Sequence, residues 1–327
     1  MELRRLGATG LQVSRMGLGL AALGRPAYIN LGHADDLDHD YAVDAMRARA
    51  AGVLDAAWAA GVRYVDAARS YGRAEEFLAS WLAGFDGGSR PVIGSKWGYE
   101  YTAGWRLDAD EHEVKEHSLE MFTRQLGETR ALLDDALDLY QVHSATLDSG
   151  VLDDQHLLDA LARLRAAGTA VGLTVSGADQ GDTLERALSI ERDGAGLFAT
   201  VQATWNVLEP SAGDMLAAAH QAGLGVIVKE GVANGRLTPR TTDGRVREAA
   251  GAIAGGAGVT VDAVALAAVL AQPWADVVLS GATTVDHLHA NLAALDVTLS
   301  PDDRAALSAL AEDPVEYWSH RSDLAWG

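Results

Sequence analysis

The stretch GVRYVDAARSYG, residues 61–72, holds a short apolar run that stops at a carboxylate, Asp66, and then presents a phenol at Tyr71. Gly61 breaks the helical pattern before it, and RYVDAA (63–68) alternates in the manner of a strand. The same unit recurs along the chain. MGLGLAAL (16–23), PVIGSK (91–96), LDLYQVH (137–143) and AVGLTVS (170–176) read as strands, and FATVQAT (198–204), GVIVKE (225–230) and DVVLSG (276–281) continue the series.

Between these runs lie segments with apolar residues three and four apart, at 42–61, 74–85, 117–133, 154–168, 182–194, 212–223 and 261–272, several of them closing on Gly. Eight short-linked strands alternating with helices predict an α/β fold, a closed (β/α)8 TIM barrel, over a single domain of residues 1–327. An open doubly wound sheet fits less well, because it calls for fewer strands and an early glycine-rich phosphate loop. The longest irregular stretches, 24–40, 97–110, 231–245 and the tail from Glu312, are expected as loops on one rim.

Composition narrows the partners. With 46 acidic and 26 basic residues, a formal charge of -20 repels nucleic-acid phosphates and anionic membranes, so neither is expected as a partner. The absence of cysteine excludes disulfides, thiolate metal sites and thiol nucleophiles. Gly7, Gly10 and Arg15 interrupt any signal-like core near the start, and the default expectation is a cytoplasmic location. Oligomeric state is not legible.

In a barrel of this kind the chemistry sits where strands end. The closing residues form a ring: Asp66 with Tyr71, Lys96, His143, Ser176, Gln202, Lys229 with Glu230, and Gly281 with Thr283. Strand ends are wet, and any one of these side chains is accounted for by solvation or capping. Together, a Tyr, a Lys, an Asp and a His can build a proton-transfer site. Lys96 is expected to make the Tyr71 phenol more acidic, Asp66 to hold the ammonium, and His143 to orient a substrate oxygen. His143 lacks a histidine partner at ligand spacing and Lys96 opposes a cation, so no metal site is expected.

DAARSYG, GSKWG and DLYQVHS resemble the Asp, Tyr, Lys, His tetrad of the aldo-keto reductases, in that family's spacing and order. RRLGATGLQVSRMGLG is similar to the family's opening β-hairpin and first strand, and the likeness runs to the glycine and asparagine near 281–291. The resemblance implies a barrel with extended loops at its C-terminal face, a nicotinamide cofactor bound without a Rossmann fold, and hydride transfer between nicotinamide and a carbonyl or alcohol, with Tyr71 handling the proton. The cofactor it implies is NADP(H), with NAD(H) as the alternative.

Residue by residue, the resemblance puts Ser176 and Gln202 on the nicotinamide carboxamide, although Gly177 replaces the usual Asn. Lys229 stands where the family has a stacking aromatic, and lies alongside the ring or contacts phosphate or substrate. Gly231 and Arg236 follow in the same segment. Gly281 and Thr283 fall near phosphate, Asn291 on adenine, and His287 replaces the arginine that commonly contacts the 2′-phosphate; Arg236 and Arg240 are the nearby substitutes.

Tyr28, Trp97, Tyr99, Tyr101, Trp105, Trp205, Tyr317, Trp318 and Trp326 crowd the expected mouth, and Tyr28, Trp97, Trp105 and Trp318 are the expected substrate contacts. Rim closure is the competing role for such aromatics. Aldehydes, ketones and sugars all fit. Two further functions stay open: a nucleotide-binding sensor or auxiliary barrel with little turnover, and an aldose dehydrogenase working in the oxidative direction.

Overall fold

The computed structural model describes residues 1–327. Its centre is a closed barrel of eight parallel strands: β1 (Met16–Gly19), β2 (Tyr64–Asp66), β3 (Val92–Trp97), β4 (Leu137–Ala145), β5 (Ala170–Val175), β6 (Thr200–Thr204), β7 (Gly225–Lys229) and β8 (Val277–Ser280). Each pairs with its neighbour in sequence, and β8 closes onto β1 through Val278 and Met16. This is the (β/α)8 arrangement that the alternation predicts.

Punctuation explains why the crossovers stop where they do. The helices Val43–Ala59, Gln155–Ala166 and Gly213–Gln221 end just before Gly61, Gly168 and Gly223, whose φ values of 92°, 102° and 89° belong to the left-handed region. A glycine there ends the helix at little steric cost and turns the chain into the next strand.

Inside the barrel, period-two alternation sends Tyr64 and Leu139 inward at the lower level, and Asp66 and Lys96 inward nearer the C-terminal end. The antiparallel hairpin of Leu3–Arg5 and Gln12–Ser14 closes the lower end, packing Leu6 and Val13 against Tyr64, Leu139, Ile227 and Val277. Gly94 exists to admit the Tyr64 ring: a Cβ at Gly94 would sit 2.5 Å from the Tyr64 hydroxyl. Gly94→Ala is therefore expected to destabilise the barrel by about 1–3 kcal/mol, read as a lower urea midpoint at unchanged m-value.

Four local expectations change. The strand expected over 16–23 ends at Gly19, because Leu20 begins a turn that bonds Gly24 N–H to its carbonyl at 2.9 Å. The helix expected over 182–194 spans Gln180–Leu188 and gives way to a hairpin, Glu191–Arg192 with Ala195–Gly196. Its turn is Asp193-Gly194, both at positive φ (57° and 76°), the two-residue pairing that favours hairpins. The stretch 97–110 opens another hairpin, Tyr99–Tyr101 with Glu113–Lys115. The tail contains a helix, Pro314–Ser322, started by proline in the first turn and by the Asp313 carboxylate accepting from the Val315 and Glu316 amides. A further helix, Gly244–Ala257, follows the 231–245 loop; its Ala and Gly residues give little contrast between faces. No single helix is long and apolar enough to cross a membrane.

Candidate active site

A cavity of about 510 Å³ opens at the C-terminal ends of the strands and runs from Asp66, Tyr71 and His143 to Gly281, Thr283 and Asn291. At its floor Asp66 is 2% exposed and forms a buried ion pair with Lys96. Strand pairing sets this up, since Asp66 lies opposite Gly94 and Lys96 opposite Gln141. The Asp66 carboxylate also accepts from Tyr64 Oη at 3.1 Å, Gln202 Nε2 at 3.0 Å and Gln141 Nε2 at 3.4 Å. The Lys96 ammonium donates in turn to the Ala67 carbonyl at 3.0 Å and to Tyr71 Oη at 3.1 Å. Buried charges persist only when paired and fully hydrogen-bonded, and here every proton of the ammonium has an acceptor.

Tyr71 arrives from the turn after β2, fixed by its amide on the Ala68 carbonyl at 3.1 Å. Its ring meets the His143 ring edge-on, 5.5 Å between centroids. His143 faces inward with Leu139 and Gln141 by the alternation of β4, and just beyond it the register against β5 shifts between Val142 and Ala145, where Ser144 takes φ 50°. Ser70 Oγ lies 3.4 Å from His143 Nδ1. Burial first, and then the nearby Lys96, Lys229 and Arg25 charges, push the imidazole well below its usual range, so it is neutral at physiological pH.

The expected acidification of Tyr71 by Lys96 is not what the site produces. Burial, reinforced by the Asp66 carboxylate, raises the phenol well above its usual range, with Arg25 opposing. Burial and the Asp66 carboxylate outweigh the pull of the ammonium, so Tyr71 rests as a neutral donor with Lys96 Nζ 3.1 Å from its oxygen. A phenol in that state still protonates an alkoxide, which is the far stronger base.

Lys229 lines the cavity and donates to Thr204 Oγ1 at 2.9 Å, with no carboxylate within 4.0 Å of its ammonium. Burial, against the pull of Glu230, lowers it to about 8. Glu230 instead forms a two-pronged pair with Arg321 from the C-terminal helix. Gln202, Gly231, Gly281, Thr283, His287 and Asn291 all line the cavity. Thr283 Oγ1 lies 3.1 Å from His287 Nδ1, and Asn291 Nδ2 donates to Ser280 Oγ at 2.8 Å.

Other expected contacts fall elsewhere. Ser176 is half-buried just beyond β5, off the cavity wall. Arg236 turns away to a bidentate pair with Glu312. Of the four substrate aromatics only Tyr28 reaches the cavity. Trp97 follows inward-facing Lys96 and so points outward, fully buried against Phe122 at 5.1 Å and His117 at 5.8 Å. Trp105 anchors the rim through Nε1 on the Tyr41 carbonyl at 2.7 Å and packs on Phe77. Trp318 packs against Tyr317. Alternation along β3 was the available signal against Trp97.

The wall holds residues the sequence does not nominate. Arg25 is 2% exposed, bonded to Glu113 Oε2 at 2.8 Å, and its guanidinium lies 4.9 Å from the Tyr28 ring and 4.7 Å from Trp326. The tail brings Trp326 in by pairing Gly327 with Tyr28, and Trp326 stacks on His112 at 4.4 Å. Asp36, Thr260 and Asp262 line the same cavity, together with Arg240, which the sequence does nominate.

The fold is a TIM barrel whose cavity, at the C-terminal mouth, has a buried Asp66, Lys96, Tyr71 and His143 group at its floor. Residues 15–312 match the aldo/keto reductase family, and the chain belongs to it. It is 25% identical to aldo-keto reductase ausK of Emericella nidulans, over 93% of this chain and 80% of that protein. It is 30% identical to pyridoxal 4-dehydrogenase of Microbacterium luteolum, over 52% of this chain and 54% of that enzyme. Among solved structures, an aldo-keto reductase from Bacillus halodurans in its holo form superposes with a TM-score of 0.70 at 21% identity, covering 98% of this chain and 99% of that one. A candidate aldo-keto reductase from Pseudomonas aeruginosa gives 0.65 at 25% identity, covering 90% and 95%.

Proposed function

We propose that this chain, acting as one barrel domain, is a nicotinamide-dinucleotide-dependent oxidoreductase that interconverts a carbonyl and an alcohol on a small molecule, with Tyr71 as the general acid and base. The observation that carries the reading is the buried relay from Asp66 through Lys96 to Tyr71, whose last step spans 3.1 Å at the floor of the cavity. The cavity suits a dinucleotide: beside hydrophobic walls it offers the Thr260 hydroxyl and one Asp262 carboxylate oxygen, both buried without a partner.

When bound, a reduced nicotinamide would supply the hydride for the carbonyl carbon, and Gln202, Thr283 and Asn291 line the cavity that would hold it. Tyr71 gives its proton to the oxygen, and the resulting phenolate is stabilised by the Lys96 ammonium before it is reprotonated from solvent. Neutral His143 carries one ring proton, which on Nε2 orients that oxygen while Nδ1 faces Ser70 Oγ.

The unpaired Lys229 ammonium favours the reduced, uncharged ring over the oxidised cation. Lys229→Met is expected to lower the ratio of oxidised to reduced cofactor Kd about five- to tenfold, the size of one partly screened charge at short range. In the unmodified protein the ratio falls by itself as pH rises through about 8, because the ammonium is charged below that value and neutral above it. Fluorescence titration at pH 6.5 and 9.5 reads both; a ratio unmoved by the substitution removes Lys229 from this role.

The oxidative direction is the second reading, favoured by the similarity to pyridoxal 4-dehydrogenase. Absorbance at 340 nm, followed from both sides with a panel of aldehydes, ketones, sugars and alcohols, tests the proposal and sets the direction. Nucleotide binding without turnover of any member would support a sensor instead.

A further inference from the structure

We infer that the cavity is built for NAD(H) and against NADP(H), with Asp36 as the residue that discriminates; the inference rests on the dinucleotide-dependent reading above. Accepting a 2′-phosphate, which carries between one and two negative charges, requires a cation free to meet it. Each arginine on the cavity wall is already matched to a carboxylate: Arg25 to Glu113, Arg321 to Glu230 and Arg240 to Asp36. Arg236, the other candidate, is paired with Glu312 off the wall. Lys229 is the remaining cation, and it sits by Thr204 at the Tyr71 end.

Asp36 lies on the cavity wall against Arg240 and His287, so an anion approaching either of them meets its carboxylate. It enters from the 24–40 segment and its side chain is 9% exposed. One carboxylate oxygen accepts from Arg240 Nη1 at 2.9 Å and the other from Nη2, while His287 Nε2 lies 3.7 Å away. His287 is the sequence position where a phosphate-binding arginine is otherwise common. Arg240 Nη1 also donates to the Leu31 carbonyl at 3.1 Å. The turn fits around it: a Cβ on Gly32 (φ 74°) would meet the guanidinium at 2.7 Å.

Asp262 gives independent support. It is 8% exposed, lines the cavity from the first turn of the helix Val261–Leu270, and leaves Oδ1 without a partner. A buried carboxylate oxygen with no donor calls for a hydroxyl or amino group and repels a phosphate. Two carboxylates, with every arginine of the wall already paired, suit the neutral ribose hydroxyls of NAD(H), for which a carboxylate acceptor is the usual partner.

Tryptophan-fluorescence titration with NADH and NADPH tests the inference on the whole chain. NADH is expected to bind at least tenfold tighter than NADPH. Asp36→Ala, which frees Arg240, should reduce that preference at least tenfold, and adding Arg240→Ala should cancel the gain in NADPH affinity. Asp36→Asn, with nearly the same shape, should shift the preference in the same direction, and thermal melts establish that each variant is folded. Equal or tighter NADPH binding by the unmodified protein, or a preference unmoved in folded Asp36 variants, overturns the inference and leaves the proposed function intact. Failure of both nucleotides to bind overturns the proposed function and the inference with it.

Discussion

Tyr71→Phe is expected to lower kcat for carbonyl reduction by about three orders of magnitude while leaving dinucleotide Kd within about twofold. The phenol is the only proton donor in contact with both the cavity and the Lys96 ammonium, at 3.1 Å. Its removal takes away an interaction that matters only as charge builds on the substrate oxygen, so binding of the nucleotide is spared. Stability should barely move, because Lys96 keeps Asp66 and the Ala67 carbonyl as acceptors. Steady-state rates at 340 nm and a fluorescence titration read the two quantities separately. Retention of a tenth or more of the parent kcat would show that another group delivers the proton.

Lys96→Met tests the relay one step earlier and has a different signature. The substitution preserves length and apolar volume but leaves the Asp66 carboxylate at 2% exposure without its cation. Breaking a buried pair from one side typically costs about 3–5 kcal/mol. Donors from Tyr64, Gln202 and Gln141 remain on Asp66 and place the expectation at the lower end of that range. Turnover is lost as well, since the phenolate loses its counter-charge. Urea unfolding of Lys96→Met, Asp66→Asn and the double variant isolates the coupling: the double variant should be more stable than Lys96→Met alone, because it no longer buries an unmatched charge. A single-variant loss below about 1 kcal/mol would mean that solvent already reaches the floor of the site.

Both expectations were largely legible before any coordinates. Strand ends carry the chemistry in a barrel, so RYVDAA, PVIGSK and LDLYQVH could be aligned by period alone and their closing residues collected. Asp66, Lys96 and His143 could be grouped because side-chain direction alternates strictly along a strand, a local property. Tyr71 follows by a short turn and could hardly land elsewhere. The aromatic rim was less legible. Trp97 lies on the outward side of the strand whose inward side bears Lys96, and Trp105 and Trp318 sit in segments whose paths depend on contacts far away in sequence.

What the chain order and the spacing of its apolar residues determined was the barrel, the helix stops at Gly61, Gly168 and Gly223, and which side chains meet at the cavity floor, because each follows from backbone preferences acting over a few residues. What only the folded molecule decided was charge and company. Whether Lys96 acidifies Tyr71, whether Arg236 and Arg240 are free, and whether Asp36 meets His287 depend on which carboxylate, brought from 30 to 251 residues away, reaches each partner first. Coulomb energies and desolvation vary with distances of a few ångströms, and no periodicity in the sequence encodes them.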